Sequence, residues 1–327
     1  MAHMIMEHDN MFSVGTTPWH GLGVVLDNPP SVEEALAKAN LDWTVIPLPL
    51  YAVKPGDIFE EVEPRAIMRV DTEEILGTIG ANWTPLQNAE AFGIFAPLVE
   101  DKSLLLETAG SLKNGRRVWI LARINSDSAE IGKGDEVRPY VLLSNAHDGT
   151  MAVRFGFTPI RVVCNNTLSA AEKDGSSRLI RIIHTPRLHE NIGALRDMLN
   201  LSKASFEATI EQYRFLASRD VNETDLMRYI RIVFDQKLEG PESGPNGGKK
   251  EEEKPKPTEN KIIELFESGI GSDLPKARTW WGAYNAFNEF LMYHRGQNAD
   301  NRLNSAWFAD GWKLNQVALN TALKMAA

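Results

Sequence analysis

The residues that could act directly in catalysis are the single cysteine and two of the histidines. Cys164 lies in "RVVCNNTL", just before a predicted helix start, where the helix dipole can lower a thiol pKa. A cysteine nucleophile would also need a base, and His147 and His184 are the candidates. Cys164 shares the alternating face of Ile160 and Val162, however, which favours a buried strand residue. A cysteine- or histidine-dependent hydrolase therefore remains only an alternative.

Metal and nucleotide motifs are missing from the sequence. There is no HExxH or CxxC spacing, and neither GxGxxG nor a P-loop occurs. Gly21 and Gly23 in "PWHGLG" only partly resemble a glycine loop, and His20 beside Trp19 is predicted to be structural. We therefore expect no metal, no cofactor and no catalytic residues, and we predict that the protein is not an enzyme.

The distribution of the arginines indicates a binding function. The segment from Lys113 to Arg187 carries twelve basic and seven acidic residues, a net +5 in a chain of net −9. Aromatic residues are interleaved with these cations, a combination typical of single-strand nucleic-acid binders, in which cations follow the phosphates and bases stack on rings. The predicted binding residues are Arg116, Arg117, Trp119, Arg123, Arg154, Arg161, Arg178 and Arg181. The alternative is a sheet face whose arginines pair with acidic residues of this or another subunit.

Strands must position these arginines. Between residues 104 and 164, Asn114-Gly115 and Asp148-Gly149 separate apolar runs and predict turns. Side chains alternate along "RRVWILARI", so one face of that strand is apolar and the other carries Arg117, Trp119, Leu121 and Arg123. The sequence predicts a meander of at least four antiparallel strands, followed by a helix near Asn165–Gly175.

Helical periodicity dominates after Pro186. Residues 239–260 contain no aromatic or β-branched apolar residue and predict a flexible linker or loop. We expect Trp280, Trp281, Tyr284 and Phe287 to pack on the β domain or on a neighbouring subunit, which favours a homo-oligomer. The predicted class is α+β, with four parts: an α+β core at 1–186, a helical segment at 187–238, the linker at 239–260 and C-terminal helices at 261–327.

Composition limits the compartment. A single cysteine excludes an intrachain disulfide, and the sequence shows neither a membrane-length apolar run nor a secretory signal at its start. These features favour a cytoplasmic protein that does not insert into a membrane. The net charge of −9 argues against indiscriminate nucleic-acid binding over the whole surface.

Several stretches together resemble a family of phage- and plasmid-borne proteins of unassigned function. They are "PWHGLG", "WTPLQNAEAF", "GSLKNGRRVW", "SNAHDGT", "RVVCNNTL" and "TWWGAYNAFNEF". The resemblance implies a mobile genetic element and a bacterial host, but no activity. The order of a meander followed by a helix, between Leu104 and Gly175, is also similar to the fold of single-strand annealing proteins, which form rings with DNA in a basic groove. That likeness transfers no individual residue.

The leading interpretation is a non-enzymatic, homo-oligomeric protein of phage or plasmid origin. It would bind single-stranded DNA through the Arg116–Arg181 region and act in recombination, including strand annealing. Two alternatives stay open at this stage. One is an interaction protein that modulates a host factor through its acidic exterior, and the other is the hydrolase described above.

Overall fold

The computed structural model describes residues 11–15, 23–161, 166–167, 179–190, 202–235, 255–296, 305 and 310–327. Helices and antiparallel sheets are both present and the helices lie mainly in the C-terminal half, which confirms the predicted class. The chain divides into two compact units. The first consists of Met1–Ser126, Pro139–Phe157 and Ser177–Lys203, and the second of Asp127–Arg138, Thr158–Ser176 and Ala204–Ala327.

The strands form two sheets. In chain order the strands are β1 (Met11–Val14), β2 (Val24–Leu26), β3 (Val45–Lys54), β4 (Ile58–Arg69), β5 (Ile75–Ile79), β6 (Leu104–Leu112), β7 (Arg117–Ile124), β8 (Ala129–Gly132), β9 (Asp135–Ala146), β10 (Val153–Arg161), β11 (Asn166–Thr167) and β12 (Leu179–Ile182). The smaller sheet has the order β3-β4-β5. The larger has the order β11-β10-β9-β7-β6-β1-β2, with β12 paired to β10 and β8 paired to β9.

The predicted meander is confirmed. Strands β6, β7, β9 and β10 are successive neighbours, and β6 pairs with β7 and β7 with β9 in antiparallel register. The turn between β6 and β7 falls at the predicted Asn114-Gly115, where Lys113, Asn114 and Gly115 all have positive φ. A tight turn of this kind favours asparagine and glycine, because both tolerate the left-handed region.

The core of the first unit lies against the apolar face of this meander. Val118 and Ile120 of β7 are fully buried there, together with Phe92 and Phe155. The short helices α1 (Val32–Lys38), α2 (Asn88–Gly93) and α3 (Ala96–Glu100) contribute to this unit. Ser31 caps the start of α1, since its hydroxyl accepts a hydrogen bond from the Glu34 amide at 3.2 Å.

Helices dominate the second unit. They are α4 (Ser202–Ala217), α5 (Glu223–Asp235), α6 (Pro257–Ser268), α7 (Trp280–Glu289), which continues into a π-helical turn at Phe290–His294, and α8 (Asp310–Ala326). Helix α6 begins inside the segment predicted as a linker, with Pro257 in its first turn and the Glu259 carboxylate accepting from the Lys256 amide. Its first residues therefore do not belong to a loop, while residues 239–254 of the predicted linker lie outside the described residues.

The aromatic residues of α7 are buried by neighbouring helices of their own unit. The Trp281 ring lies 4.8 Å from the Tyr213 ring of α4, and the Trp280 ring lies 5.7 Å from the Tyr229 ring of α5. The Trp281 indole N–H also donates to Asp135 at 2.8 Å. These rings therefore pack within one chain and give no support to a subunit interface at α7.

Candidate nucleic-acid interface

Arg116 and Arg117 follow the turn after β6, and each is held by a carboxylate. Arg117 Nη1 lies 2.6 Å from Asp148 Oδ1, and its Nη2 donates to the Thr150 hydroxyl at 2.5 Å. Arg116 Nη2 lies 2.9 Å from Glu74, and its Nε donates to the Leu76 carbonyl at 2.8 Å. Arg116 is thus fastened to β5.

Close packing of backbone on backbone fixes the carboxylate that holds Arg117. A Cβ added to Gly77 of β5 would lie 2.7 Å from the Asp148 carbonyl oxygen, so only glycine fits there. On the other side of the contact, Gly149 has a φ of +76° and a Cβ there would lie 3.0 Å from the Ile79 side chain. The predicted Asp-Gly turn therefore packs directly on β5 and places Asp148 beside Arg117.

Arg123 belongs to a separate ion pair at the other end of β7. Its Nε donates to Glu107 Oε1 at 2.5 Å, and the Tyr140 hydroxyl donates to Glu107 Oε2 at 2.8 Å. This carboxylate is therefore shared by two donors of the same sheet face. For Arg116, Arg117 and Arg123, the structure matches the alternative in which the arginines pair with acidic residues of the chain itself. Arg117 differs from the other two because its charge also acts on Arg154.

The prediction that Trp119 offers an open ring for base stacking is wrong. Trp119 does lie on the sheet face that Arg117 and Arg123 share, as the alternation along β7 predicts. However, its side chain is 0% exposed, and its cross-strand partner Ser144 is buried too. Alternation distinguishes the two faces of a strand, but it cannot show that the second face is also covered.

If Trp119 is a packing residue, Trp119→Phe should lower the free energy of unfolding by about 1–2 kcal/mol. It should leave nucleic-acid affinity unchanged, because no base reaches the ring. A stacked base would instead contribute about 1–3 kcal/mol to binding. Denaturant unfolding and a binding titration on the same variant separate the two roles. A large loss of affinity without a loss of stability would contradict the packing role.

Arg154 and Arg181 are two like charges that face each other across neighbouring strands of the larger sheet. They are direct cross-strand partners in the antiparallel pairing of β10 and β12, so their side chains project from the same face. The neighbouring pairs are apolar and include Val153 opposite Ile182, both of which are buried. Like charges directly opposite each other in a sheet are destabilising.

The electrostatic environment of Arg154 agrees with this placement. Burial and then the positive charges of Arg181 and Arg117 lower the pKa of Arg154. Lys113 responds in the same way, since burial and the charges of Arg117 and Arg116 lower its pKa while Asp148 opposes them. We call Lys113, Arg117, Arg154 and Arg181 the cation cluster. An anion in reach of these side chains would relieve their mutual repulsion.

Four of the residues singled out by the sequence cannot be placed. Arg161 ends β10, but its side chain lies outside the described residues, as do Arg178, Cys164 and His20. Among the predicted binding residues, Arg154 and Arg181 are cross-strand partners, and the charge of Arg117 acts on both Arg154 and Lys113. The structure places Arg123 in a separate ion pair and Trp119 in the interior.

A buried histidine lies directly after β9, in a position that sequence reasoning treated only as a possible base. His147 is 1% exposed, its Nε2 lies 3.0 Å from Asn88 Oδ1, and its ring packs edge-on against Trp43 at 5.2 Å. The Asn88 amide nitrogen donates to the Trp43 carbonyl, so the Asn88 oxygen accepts and His147 Nε2 carries the proton. Burial, followed by the charge of His184, lowers the pKa of His147 to about 3.

His184 and Asn145 fasten the same stretch of chain. His184 Nδ1 donates to the Thr84 carbonyl at 2.8 Å and its ring stacks on Trp83 at 4.6 Å, while the Asn145 amide donates to the Leu86 carbonyl. Thr84, Leu86 and Asn88, which lead into α2, are thus tied to the ends of β9 and β12. Because His147 and His184 are only 1% and 4% exposed, neither is placed to act as a base on a substrate in solution.

Three of the stretches that carry the family resemblance meet here. "WTPLQNAEAF" supplies Thr84 and Asn88, "SNAHDGT" supplies Asn145, His147 and Asp148, and "GSLKNGRRVW" supplies Lys113 and Arg117. A profile of the family described as Domain of unknown function (DUF932) matches residues 75–307, which is more than half of the chain. The chain belongs to the DUF932 family.

The matched region of the DUF932 family contains the whole cation cluster and both buried histidines. The "PWHGLG" stretch lies before it. Searches of curated proteins and of solved structures find no match to this chain. The family description gives no activity, so the chemistry of the site is the only guide to function.

Two negative findings hold for the part of the chain that the structure describes. Within it, no group of three or more His, Cys, Asp or Glu side chains is arranged to hold a metal ion. Within the same ranges, no helix has both the length and the apolar character needed to cross a membrane.

Proposed function

We propose that this DUF932 protein binds single-stranded DNA through the cation cluster, as a recombination protein of a phage or plasmid that promotes strand annealing. The observation that supports the proposal most strongly is the direct cross-strand opposition of Arg154 and Arg181. Natural sheets avoid facing like charges, because the pair repels and is worth less than almost any neutral pair. A bound phosphate attracts both guanidinium groups and so offsets their mutual repulsion.

Guanidinium groups suit this ligand. Each arginine presents a planar fork of N–H donors that matches two phosphate oxygens, and its charge is retained at every physiological pH. Arg117 extends the cluster by a third guanidinium, whose orientation Asp148 and Thr150 fix. Three such groups on one sheet face can follow successive phosphates of one strand.

The buried state of Trp119 changes the mode of binding from the one that the sequence predicts. With that ring inside, phosphate contacts carry the affinity and bases add little, so recognition is independent of sequence. A single strand is flexible and can bend its phosphates onto a small cluster. A duplex, whose phosphates follow a fixed path, would meet fewer cations and more of the acidic surface of a chain of net charge −9.

The test is a fluorescence anisotropy titration with labelled single strands of about 30 nucleotides, a length that exceeds common single-strand site sizes. We expect binding of mixed-sequence and homopolymer strands with similar affinity, and weaker binding of the matching duplex. Three phosphate contacts predict a loss of affinity of about 20-fold between about 50 and 200 mM salt. Absence of binding at the lower salt concentration would exclude the proposal, and an interaction protein that acts on a host factor would take its place.

A further inference from the structure

The hairpin of β3 and β4 extends beyond the rest of its sheet. The two strands pair along their full length, from Val45 opposite Arg69 to Lys54 opposite Ile58. Strand β5 pairs with β4 only between Arg65 and Met68. Residues 50–62 therefore form a two-stranded ribbon with no third strand among the described residues, and we call this segment the ribbon.

Large apolar side chains lie open to solvent on the ribbon. Tyr51, Val53, Ile58 and Phe59 are 53%, 63%, 59% and 68% exposed. Val53 faces Phe59 across the strands and Tyr51 faces Glu61, so Tyr51, Val53 and Phe59 share one face. A contiguous apolar surface on an isolated two-stranded ribbon is typical of an interaction site, because such a ribbon is marginally stable alone.

The outer edge of β3 is protected near the sheet and open on the ribbon. Pro47 and Pro49 lie in the half of β3 beside the sheet. Proline has no N–H, so a paired strand tolerates it where that N–H would have pointed away from the partner. Between Pro49 and Leu50 the register shifts by two residues of β4 and by none of β3, so the alternation of β3 continues across the shift. It directs the N–H and C=O groups of Tyr51 and Val53 outward, and no proline blocks them there.

The charge of the ribbon limits the class of partner. It carries Asp57, Glu60 and Glu61 against Lys54, a net −2. An ion pair joins Lys54 to Glu60 within the ribbon. This net negative charge repels nucleic acid and anionic lipid. The acidic residues lie in the turn and on β4, whereas β3 carries only the charge of Lys54, so a protein strand can pair with the outer edge of β3.

The edge is complementary to itself. In an antiparallel pair centred on Ala52, Tyr51 of each copy lies opposite Val53 of the other, which joins the outward donors and acceptors of both residues. An aromatic side chain opposite a β-branched one is a favourable cross-strand pair. Ala52, the smallest residue of the edge, falls on the two-fold axis, and Lys54 falls opposite Leu50, so no like charges face each other.

We propose that the ribbon is the homodimer contact of this protein, in which the β3 edges of two copies pair antiparallel about Ala52. The two three-stranded sheets then form one continuous sheet, and Tyr51 and Val53 of both copies cover each other. This inference does not depend on nucleic-acid binding, because the ribbon and the cation cluster share no residue.

The test compares Val53→Pro with Phe59→Ser by light scattering at micromolar concentration. Val53→Pro removes an outward donor and leaves the β3–β4 ladder intact, as Pro47 and Pro49 do, so this variant should be monomeric. Phe59→Ser removes an equally exposed ring from the inner strand, so it should stay dimeric. The wild-type protein should have twice the 36.5 kDa mass of one chain.

A second edge variant shows whether a change in mass results from misfolding of Val53→Pro. Val53→Lys places a charge on the edge, which natural edge strands use to prevent pairing, and it should give the same monomer as Val53→Pro. A monomeric wild-type protein would overturn the inference. So would a dimer that persists in both edge variants, or a dimer lost in Phe59→Ser and retained in Val53→Pro, because apolar contact rather than edge pairing would then hold the copies together.

Discussion

Acidification below pH 6.5 is expected to lower the free energy of unfolding by about 1.4 kcal/mol for each pH unit through His147 alone. In the unfolded chain, this histidine takes up a proton near its ordinary pKa of 6.5. In the folded chain, burial, followed by the charge of His184, keeps its pKa at about 3. Between these values the unfolded state binds the additional proton, so stability is full above 6.5 and falls as the pH decreases.

The surroundings of His147 act on its pKa in both directions. Asp148 raises it, whereas Arg69 and Arg117 lower it together with the larger effects of burial and His184. Burial also lowers the pKa of His184, partly offset by its hydrogen bond to Thr84, so His184 adds to the loss in the same direction. The pKa values of Asp71 and Asp148 are lowered from 3.8, so these two carboxyl groups affect the free energy of unfolding mainly at more acidic pH.

Denaturant unfolding at a series of pH values measures this slope, and His147→Gln is the matched variant. The glutamine amide can still donate to Asn88 but does not titrate, so its slope should be shallower than that of the wild-type protein. His184→Gln gives a second comparison at the neighbouring site. Equal slopes in the wild-type protein and both variants would show that neither histidine is held neutral by burial.

The second large effect concerns affinity. Replacing both Arg154 and Arg181 by glutamine should weaken single-strand binding about 25-fold at about 0.1 M salt, because two phosphate contacts are lost. The same change removes a facing pair of like charges, which offsets the loss of the other interactions that Arg154 makes within the chain, so the free energy of unfolding should change little. A loss of affinity without a loss of stability is expected for a site whose residues serve binding at the expense of the free energy of unfolding.

The charge-matched control is Arg123→Gln combined with Arg138→Gln. It removes the same two charges from outside the cation cluster, where Arg123 pairs with Glu107 and Arg138 lies 3.9 Å from Glu136. Affinity should fall much less in this control than in the Arg154 and Arg181 variant. Equal losses would mean that net charge, rather than the cation cluster, determines binding.

Local patterns in the sequence predict the frame of the site. The Asn114-Gly115 turn, the alternation along β7 and the Asp148-Gly149 turn all lie where the sequence places them. These features depend on residues close together in the chain, whose conformational preferences are strong. The meander of strands and the face that carries Arg117 follow from them.

Contacts between distant residues explain the rest. Trp119 is polar at one atom and neighboured by arginines, yet its burial depends on what covers the second sheet face. The pairing of Arg123 with Glu107 joins residues across a bulge in β6, where the register shifts between Leu106 and Thr108. The tie between His147 and Asn88 spans 59 positions, and nothing local to either residue indicates it.

The cation cluster depends both on local sequence patterns and on contacts between distant residues. The sequence picks out Arg117, Arg154 and Arg181 as basic residues, but only the register of β10 and β12 places the last two directly opposite each other. Lys113 is not among the binding residues that the sequence predicts, and only the structure shows that its charge interacts with that of Arg117. The exposed ribbon has no local signal either, because "LYAVK" and "IFEEV" look like ordinary strands and only the sheet order shows that β5 does not reach them.

The salt dependence of single-strand binding tests the central claim most directly. With three guanidinium contacts, the logarithm of the affinity should fall with the logarithm of salt concentration with a slope of about −2. The slope should change to about −0.7 when Arg154 and Arg181 are both replaced by glutamine. A wild-type slope near zero, or the same slope in both proteins, would contradict phosphate binding by the cation cluster.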